Sequence, residues 1–220
     1  MPLYEAICKE FAFSKKADVA SAKLLASIIG DRGKNSLDAL RPGFPKQVLL
    51  CGGGENLADE LSSIVYEGFV VAADGATTTL VESGFEVDMI STDLDGIVED
   101  QIEQNGEGAV VFLHAHGDNQ AAVRRYAESF TGPFVGTCQC PPPPGLVNFG
   151  GFTDGDRAAC ICAELGATEI LLAGFDFLNP SPKAGRDMEV KRRKLAWAER
   201  IMEVLRQQGV KITPASELKR

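Results

Sequence analysis

From residue 46 onward, short apolar runs rich in β-branched residues alternate with segments whose apolar positions recur at helical spacing. The apolar runs are QVLLCGGG (47–54), FVVAADGA (69–76), VDMISTDLDG (87–96) and AVVFLHAHGD (109–118), then PFVGTCQC (133–140), VNFGGF (147–152), EILLAGFDF (169–177) and VKITPAS (210–216). Between them, ENLADELSSIVYEG (55–68), TTTLVESG (77–84), EDQIEQNG (99–106), NQAAVRRYAESF (119–130), DGDRAACICAELG (154–166) and a long stretch over about 188–208 read as helices. Strands that alternate with such helices imply an α/β fold: a doubly wound, mostly parallel, Rossmann-like sheet. The PPPP run at 141–144 reads as a rigid loop between strands.

Residues 4–40 carry a different pattern. Ile7, Phe11, Val19, Leu24, Leu25 and Ile28 recur at rough helical spacing, and Asp18 suits the cap of a second helix. RPGFP (41–45) then interrupts the pattern with two prolines and a glycine. The expected organisation is a small helical N-terminal cap over 1–44 and an α/β catalytic domain over 45–220. The exposed helical pair of that cap is a candidate homodimer surface.

Composition narrows the class. Of 220 residues, 45% are apolar and 24% charged, as expected of a globular chain. The net charge is −9, and no Lys/Arg-rich run precedes residue 191, which argues against a nucleic-acid partner. An anionic substrate would therefore need a metal ion or backbone N–H groups. The opening MPLYEAICKE lacks the basic and apolar regions of a secretory signal, and no apolar stretch approaches the roughly 20 residues that span a bilayer. Cys8, Cys51, Cys138, Cys140, Cys160 and Cys162 form no pair of C-x-x-C knuckles, so they read as buried hydrophobes of a cytoplasmic protein.

The candidate chemistry lies at strand ends. Asp74, Asp93, Asp95, His114, His116 and Asp118 all fall at or just past the carboxyl ends of expected strands. Open parallel sheets bind ligands outside those ends, where the strand order reverses. Within MISTDLDG, Asp93 and Asp95 share a side of the extended chain and repel unless a cation lies between them. Mg²⁺ takes such oxygen ligands together with substrate phosphates, so Asp93 and Asp95, with Asp74 or Asp118, suit a magnesium–nucleotide complex.

Other motifs are weaker. Gly52, Gly53 and Gly54 suit a phosphate approached by backbone N–H groups, yet no lysine follows as in a Walker A loop, and a plain β–α turn also fits. In HAHGDN (114–119) the chain's two histidines suit hydrogen bonding or phosphate contact better than zinc, and Asp118 or Asn119 suits a helix cap. In GGFTDGDRA (150–158), Thr153 and Asp154 are N-cap types, whereas Arg157 in the first turn opposes the helix dipole and so points to another partner. Asp176 of GFDF reaches a further strand end, where it suits either a ring carrying N–H donors or a surface turn. Arg124 and Arg125 follow the histidine motif, and KRRK (191–194) is the one basic cluster.

ADGA (73–76), STDLDG (91–96) and HAHGDN (114–119), in this order on successive strands, resemble the thiamin pyrophosphokinase-like catalytic fold. With GFTDGDRA and GFDF added, the chain is more closely similar to the archaeal 6-hydroxymethyl-7,8-dihydropterin pyrophosphokinases, over roughly residues 46–215. That resemblance implies Mg²⁺-dependent transfer of diphosphate from ATP to the pterin hydroxymethyl group, with release of AMP, on the way to folate or methanopterin. By position, Asp74, Asp93, Asp95 and Asp118 match acids associated with magnesium and diphosphate. Asp93 and Asp95 are then the expected principal ligands, and Asp118 or His116 the candidate proton acceptor. Gly75, Asn119 and Arg157 join Gly52–Gly54 and Asp74 as expected nucleotide contacts. Thiamin enzymes place Asp-x-Thr-Asp where this chain reads AHGD (115–118), which favours the pterin assignment. The alternatives are a thiamin pyrophosphokinase, a D-x-D nucleotide-sugar transferase and a non-catalytic Mg-nucleotide-binding module.

Overall fold

The computed structural model describes residues 2–178 and 187–218. Three helices open the chain: α1 (Pro2–Phe11), α2 (Lys15–Ile29) and α3 (Arg32–Leu40). Then follow β1 (Gln47–Cys51), α4 (Leu57–Ser62), β2 (Phe69–Ala73), α5 (Ala76–Glu82), β3 (Met89–Thr92), α6 (Val98–Glu107) and β4 (Val110–Ala115). The remainder is α7 (Gln120–Tyr126), β5 (Phe134–Cys138), β6 (Leu146–Val147), α8 (Asp154–Leu165), β7 (Glu169–Ala173), α9 (Met188–Gln207) and β8 (Lys211–Pro214).

Among the described residues, eight strands form one sheet in the order β6-β5-β4-β3-β2-β1-β7-β8, and every pairing is parallel. Leu50 at the centre pairs with Val71 on one side and Leu172 on the other. The period-two alternation of each strand divides its apolar side chains between two cores. Leu49, Ala72, Ile90, Val111 and Leu113 meet Leu25 and Ile29 of α2, Leu57 and Leu61 of α4, and Leu80 of α5. Val48, Leu50, Val71, Met89 and Phe112 meet Ala158, Ile161 and Leu165 of α8 and Ile201, Met202 and Leu205 of α9. Helices thus cover both faces, which makes the sheet doubly wound.

Three local readings change. The N-terminal stretch is three helices, and Ser14 caps α2, its hydroxyl accepting from the Ala17 N–H (3.2 Å). Asp18 is buried and bonded elsewhere. The helix expected over 55–68 ends at Ser62, because Ile64 turns into the core and the chain must double back to enter β2. The VNFGGF strand contracts to Leu146–Val147, since Gly150 and Gly151 adopt φ of +91° and +87°. All six cysteines are free and buried, as the sequence suggests. No described helix is long and apolar enough to cross a membrane.

Candidate active site

The strand order reverses between β1 and β7, and there the glycines serve the backbone. The Gly52 and Gly54 N–H groups donate to the Ala173 and Gly174 carbonyls (2.8 and 2.9 Å). A Cβ on Gly54 would lie 2.6 Å from the Gly174 oxygen. Two of the three expected phosphate-binding N–H groups are therefore committed to holding β1 against β7, and Gly53 stays exposed. The acids gather one and two strands away, beyond β2 and β3.

Asp74 follows β2 in a left-handed conformation (φ +47°), and Leu94 after β3 is likewise left-handed (φ +71°). Non-glycine residues rarely hold such angles, and here a hydrogen-bond network fixes them. The Thr92 hydroxyl donates to Asp74 Oδ1 (2.7 Å), the Gln101 amide donates to the same oxygen (3.1 Å), and the Leu94 N–H donates to Thr92 Oγ1 (2.9 Å). Gly75 and Gly96 let the two loops touch, for a Cβ on Gly96 would lie 3.0 Å from the Gly75 backbone. Gly75 itself is exposed beside Asp74.

The third acid comes from a helix later in the chain. α8 crosses the sheet to link β6 with β7, and its first residue is Asp154. Carboxylate oxygens of Asp74, Asp93 and Asp154 lie within 4.8 Å of one another. Asp93 Oδ1 is buried with no hydrogen-bond partner. Burial, followed by the charges of Asp93 and Asp74, pushes the Asp154 carboxyl well above the usual carboxylate range. Burial, then the Asp93 charge, raises Asp74 as well. Three hard oxygen donors and an orphaned buried oxygen fit a small divalent cation such as Mg²⁺.

Asp93 is the exception. Burial alone would raise it, but the His116 hydrogen bond and the positive charges of Arg157 and Lys194 together hold it below its ordinary range. His116 Nε2 lies 3.4 Å from Asp93 Oδ2. The Asp118 N–H donates to His116 Nδ1 (3.3 Å), so Nε2 carries the proton that faces Asp93. Both ring nitrogens are engaged, which removes His116 as a proton acceptor in this arrangement. The Asp118 side chain is exposed at the rim, and the residue orients His116 through its main chain. Asp95 is exposed on the loop after β3, outside the group of three.

Two further expected contacts are structural clips. Asn119 is buried; its amide donates to the Asp93 and His114 carbonyls (3.0 and 2.7 Å), and its Oδ1 accepts from the His116 N–H (3.0 Å). Arg157, 3% exposed, donates to the Gly150 and Phe152 carbonyls (3.2 and 3.1 Å), which is the partner its misfit with the dipole called for. Asp156 accepts from the Phe152 and Thr153 N–H groups (2.6 and 2.8 Å) and from the Thr153 hydroxyl, so it occupies the capping role and leaves Asp154 facing the other acids. Asp176 accepts from the Leu178 N–H (3.0 Å) within a surface turn. Arg124 and Arg125 are exposed in the last turn of α7.

A cavity of about 80 Å³ opens beside the three acids, lined by Asp93, His114, His116, Asp154, Arg157 and Lys194. Its roof is the N-terminal segment, through Phe13, Ser14, Ala17 and Asp18. Asp18 accepts from the Gly117 N–H (2.8 Å) and from the Tyr4 hydroxyl (2.8 Å), which ties the roof to the histidine loop. His114 is buried; its Nδ1 lies 3.0 Å from the Thr137 hydroxyl, which itself donates to the Leu113 carbonyl (3.3 Å). The Nδ1 therefore carries the proton, and Nε2 is an acceptor with no hydrogen-bond partner. Burial, then the charge of Arg157, holds this imidazole neutral, well below its ordinary range. A larger groove of about 960 Å³, lined by Phe69, Asp88, Val110 and Pro133 among others, lies at the opposite edge of the strands and carries none of this chemistry.

Reading the sequence missed Asp154, Asp18 and Lys194 as parts of this site. The available signal for Asp154 was its neighbour: once Asp156 satisfies the helix cap, the first acid of the D-G-D is left over.

Fold and site together define a doubly wound α/β protein with a group of three acids beside a pocket at the carboxyl edge of its sheet. The family model described as 6-hydroxymethylpterin diphosphokinase MptE-like matches residues 22–181. The chain belongs to this MptE-like family. It is 40% identical to the 6-hydroxymethyl-7,8-dihydropterin pyrophosphokinase of Methanothermobacter thermautotrophicus, over 94% of this chain and 93% of the relative. Proteins of the same description from Pyrococcus furiosus and Methanocaldococcus jannaschii are 38% and 32% identical, with coverage of 94% and 93% for the first and 92% of both chains for the second. Among solved structures, the MAf glycosyltransferase from Magnetospirillum magneticum AMB-1 aligns with a TM-score of 0.46 and 16% identity, over 76% of this chain and 29% of its own.

Proposed function

We propose that this protein transfers a diphosphate from ATP to the hydroxymethyl group of 6-hydroxymethyl-7,8-dihydropterin and releases AMP. The substrate hydroxyl oxygen forms a bond to the β-phosphorus while the bond from that phosphorus to the α-phosphate oxygen breaks, AMP leaves, and the hydroxyl proton passes to water. The observation that carries this reading is the group Asp74, Asp93 and Asp154, with an orphaned buried oxygen, in a chain that matches relatives of this description along nearly its whole length. When bound there, Mg²⁺ supplies positive charge to the phosphate oxygens and fixes their orientation.

The chain's own residues prepare that pocket. His116 keeps Asp93 ionised and aimed, Thr92 and Gln101 hold Asp74, and the Asp156 cap sets the first turn of α8 so that Asp154 faces both. Asp95 and Asp118, at the rim, take no direct bond to the ion in this reading and act on it through water. The roof of Phe13 and Ala17 restricts water at the reacting phosphate. The free, buried state of all six cysteines supports a reducing, cytoplasmic setting.

The test is direct. Purified protein is incubated with ATP, Mg²⁺ and 6-hydroxymethyl-7,8-dihydropterin, and separately with thiamin as acceptor. AMP and pterin diphosphate in the first reaction, with no AMP in the second, is the expected outcome. Release of ADP, or AMP formation only with thiamin, refutes the reading.

A further inference from the structure

The basic run KRRK (191–194) is divided by the fold. Arg192 pairs with Glu189 (2.8 Å) on its own helix. Arg193 pairs with Glu10 (2.9 Å), and its guanidinium lies 4.9 Å from the centre of the Phe11 ring. Lys194 lies over the other two rings of the same Phe11, Phe13 and Phe152 cluster. Its Nζ lies 5.9 Å from the ring centres of both Phe13 and Phe152, and the residue lines the cavity with Asp93 and Asp154.

We propose that Lys194 is the polyphosphate anchor of this site, the ammonium group that grips the diphosphate to be transferred. The proposal rests on the diphosphotransfer reading above. Two cationic side chains line the cavity, Arg157 and Lys194. Arg157 gives one N–H of each terminal nitrogen to the Gly150 and Phe152 carbonyls, which fixes its guanidinium in the cavity wall with its Nε–H buried and unpartnered. Lys194 forms no ion pair among the described residues, and its charge is felt at Asp93. A bound cation neutralises only part of a triphosphate, whose remaining oxygens need donors. An ammonium is a compact charge with three donors, suited to several phosphate oxygens at once. Two phenyl rings, one from the N-terminal roof and one from the loop before α8, attract that charge and set it at the cavity wall. The roof and α9 thereby acquire a purpose at a site whose acids come from β2, β3 and α8.

Lys194→Met keeps the apolar stem against the two rings and removes the charge. Titration calorimetry with Mg·ATP and with Mg·triphosphate, on the full chain, compares wild type with Lys194→Met, Lys194→Arg and Arg193→Met. Lys194→Met should weaken both ligands by about 10- to 100-fold. Lys194→Arg should recover part of that loss, and Arg193→Met should bind as wild type does. In steady state the KM for ATP should rise with the KM for the pterin unchanged. Wild-type affinity in Lys194→Met overturns the proposal, as does a loss for ATP without a loss for triphosphate, or an equal loss for ATP and pterin. A wild type that binds Mg·ATP yet makes no AMP refutes the functional reading alone, because the affinity comparison still decides the role of Lys194.

Discussion

At the scale of single residues, Asp93 illustrates how one carboxylate is divided between two tasks. Its Oδ2 faces His116, which keeps the group ionised, while its Oδ1 is buried and unpartnered. Asp154 is the converse, a carboxyl pushed upward by burial and by its two acidic neighbours. Asp93→Asn or Asp154→Asn should each lower AMP formation by about 100- to 1,000-fold, with the circular dichroism spectrum unchanged. Turnover near wild type in both variants would refute the shared-ion site. His114 gives a pH signature. Its folded-state pKa is depressed, so the folded protein refuses a proton that the unfolded chain accepts below about pH 6.5. Stability should therefore fall as the pH drops from 7 to 5, by up to about 1.4 kcal/mol per pH unit from this group. His114→Gln should show a shallower loss in urea titrations at pH 7, 6 and 5.

Among the elements, α8 contributes most to the site. Asp154 supplies the third acid, Asp156 caps the helix, and Arg157 clamps the entering loop, all within four successive positions. That loop must pass close to the helix. A Cβ on Gly151 would lie 2.3 Å from the Arg157 Cα, and the residue already has φ of +87°. Gly151→Ala is expected to destabilise the protein by about 2–4 kcal/mol in chemical denaturation and to displace Asp154. A variant as stable as wild type would mean that the loop tolerates a different path. The strand–helix alternation and the strand-end acids were legible because both depend on neighbours in sequence. The lengths of α4 and β6 were not, because core packing of Ile64 and the left-handed pair Gly150–Gly151 end them.

Over the whole molecule, three acidic side chains sit close together in a protein of net charge −9. Their mutual repulsion opposes folding, and a divalent cation bound between them would relieve it. Millimolar Mg²⁺ should therefore raise the melting temperature, since a ligand at 100 times its Kd adds about 2.7 kcal/mol. The rise should vanish in Asp93→Asn. A melting temperature indifferent to Mg²⁺ in the wild type would count against the site. The N-terminal helices belong to the same account, because Asp18 secures the histidine loop and Phe13 roofs the cavity. Residues 1–44 read from the sequence as a cap; in the structure, Ala22, Leu25 and Ile29 share a core with the strands.

The sequence by itself determined the alternation of elements, the two-faced sheet, the placement of Asp74 and Asp93 at one edge, and the family pattern. Those features follow from side-chain period and local backbone preference, which a linear string records. Only the tertiary structure decided that Asp154 rather than Asp95 or Asp118 completes the acidic group, that Gly52 and Gly54 hold strands rather than phosphate, and that Lys194 enters the pocket. Each of those outcomes depends on where a crossover helix or a distant loop comes to rest, and that is set by the packing of both cores at once.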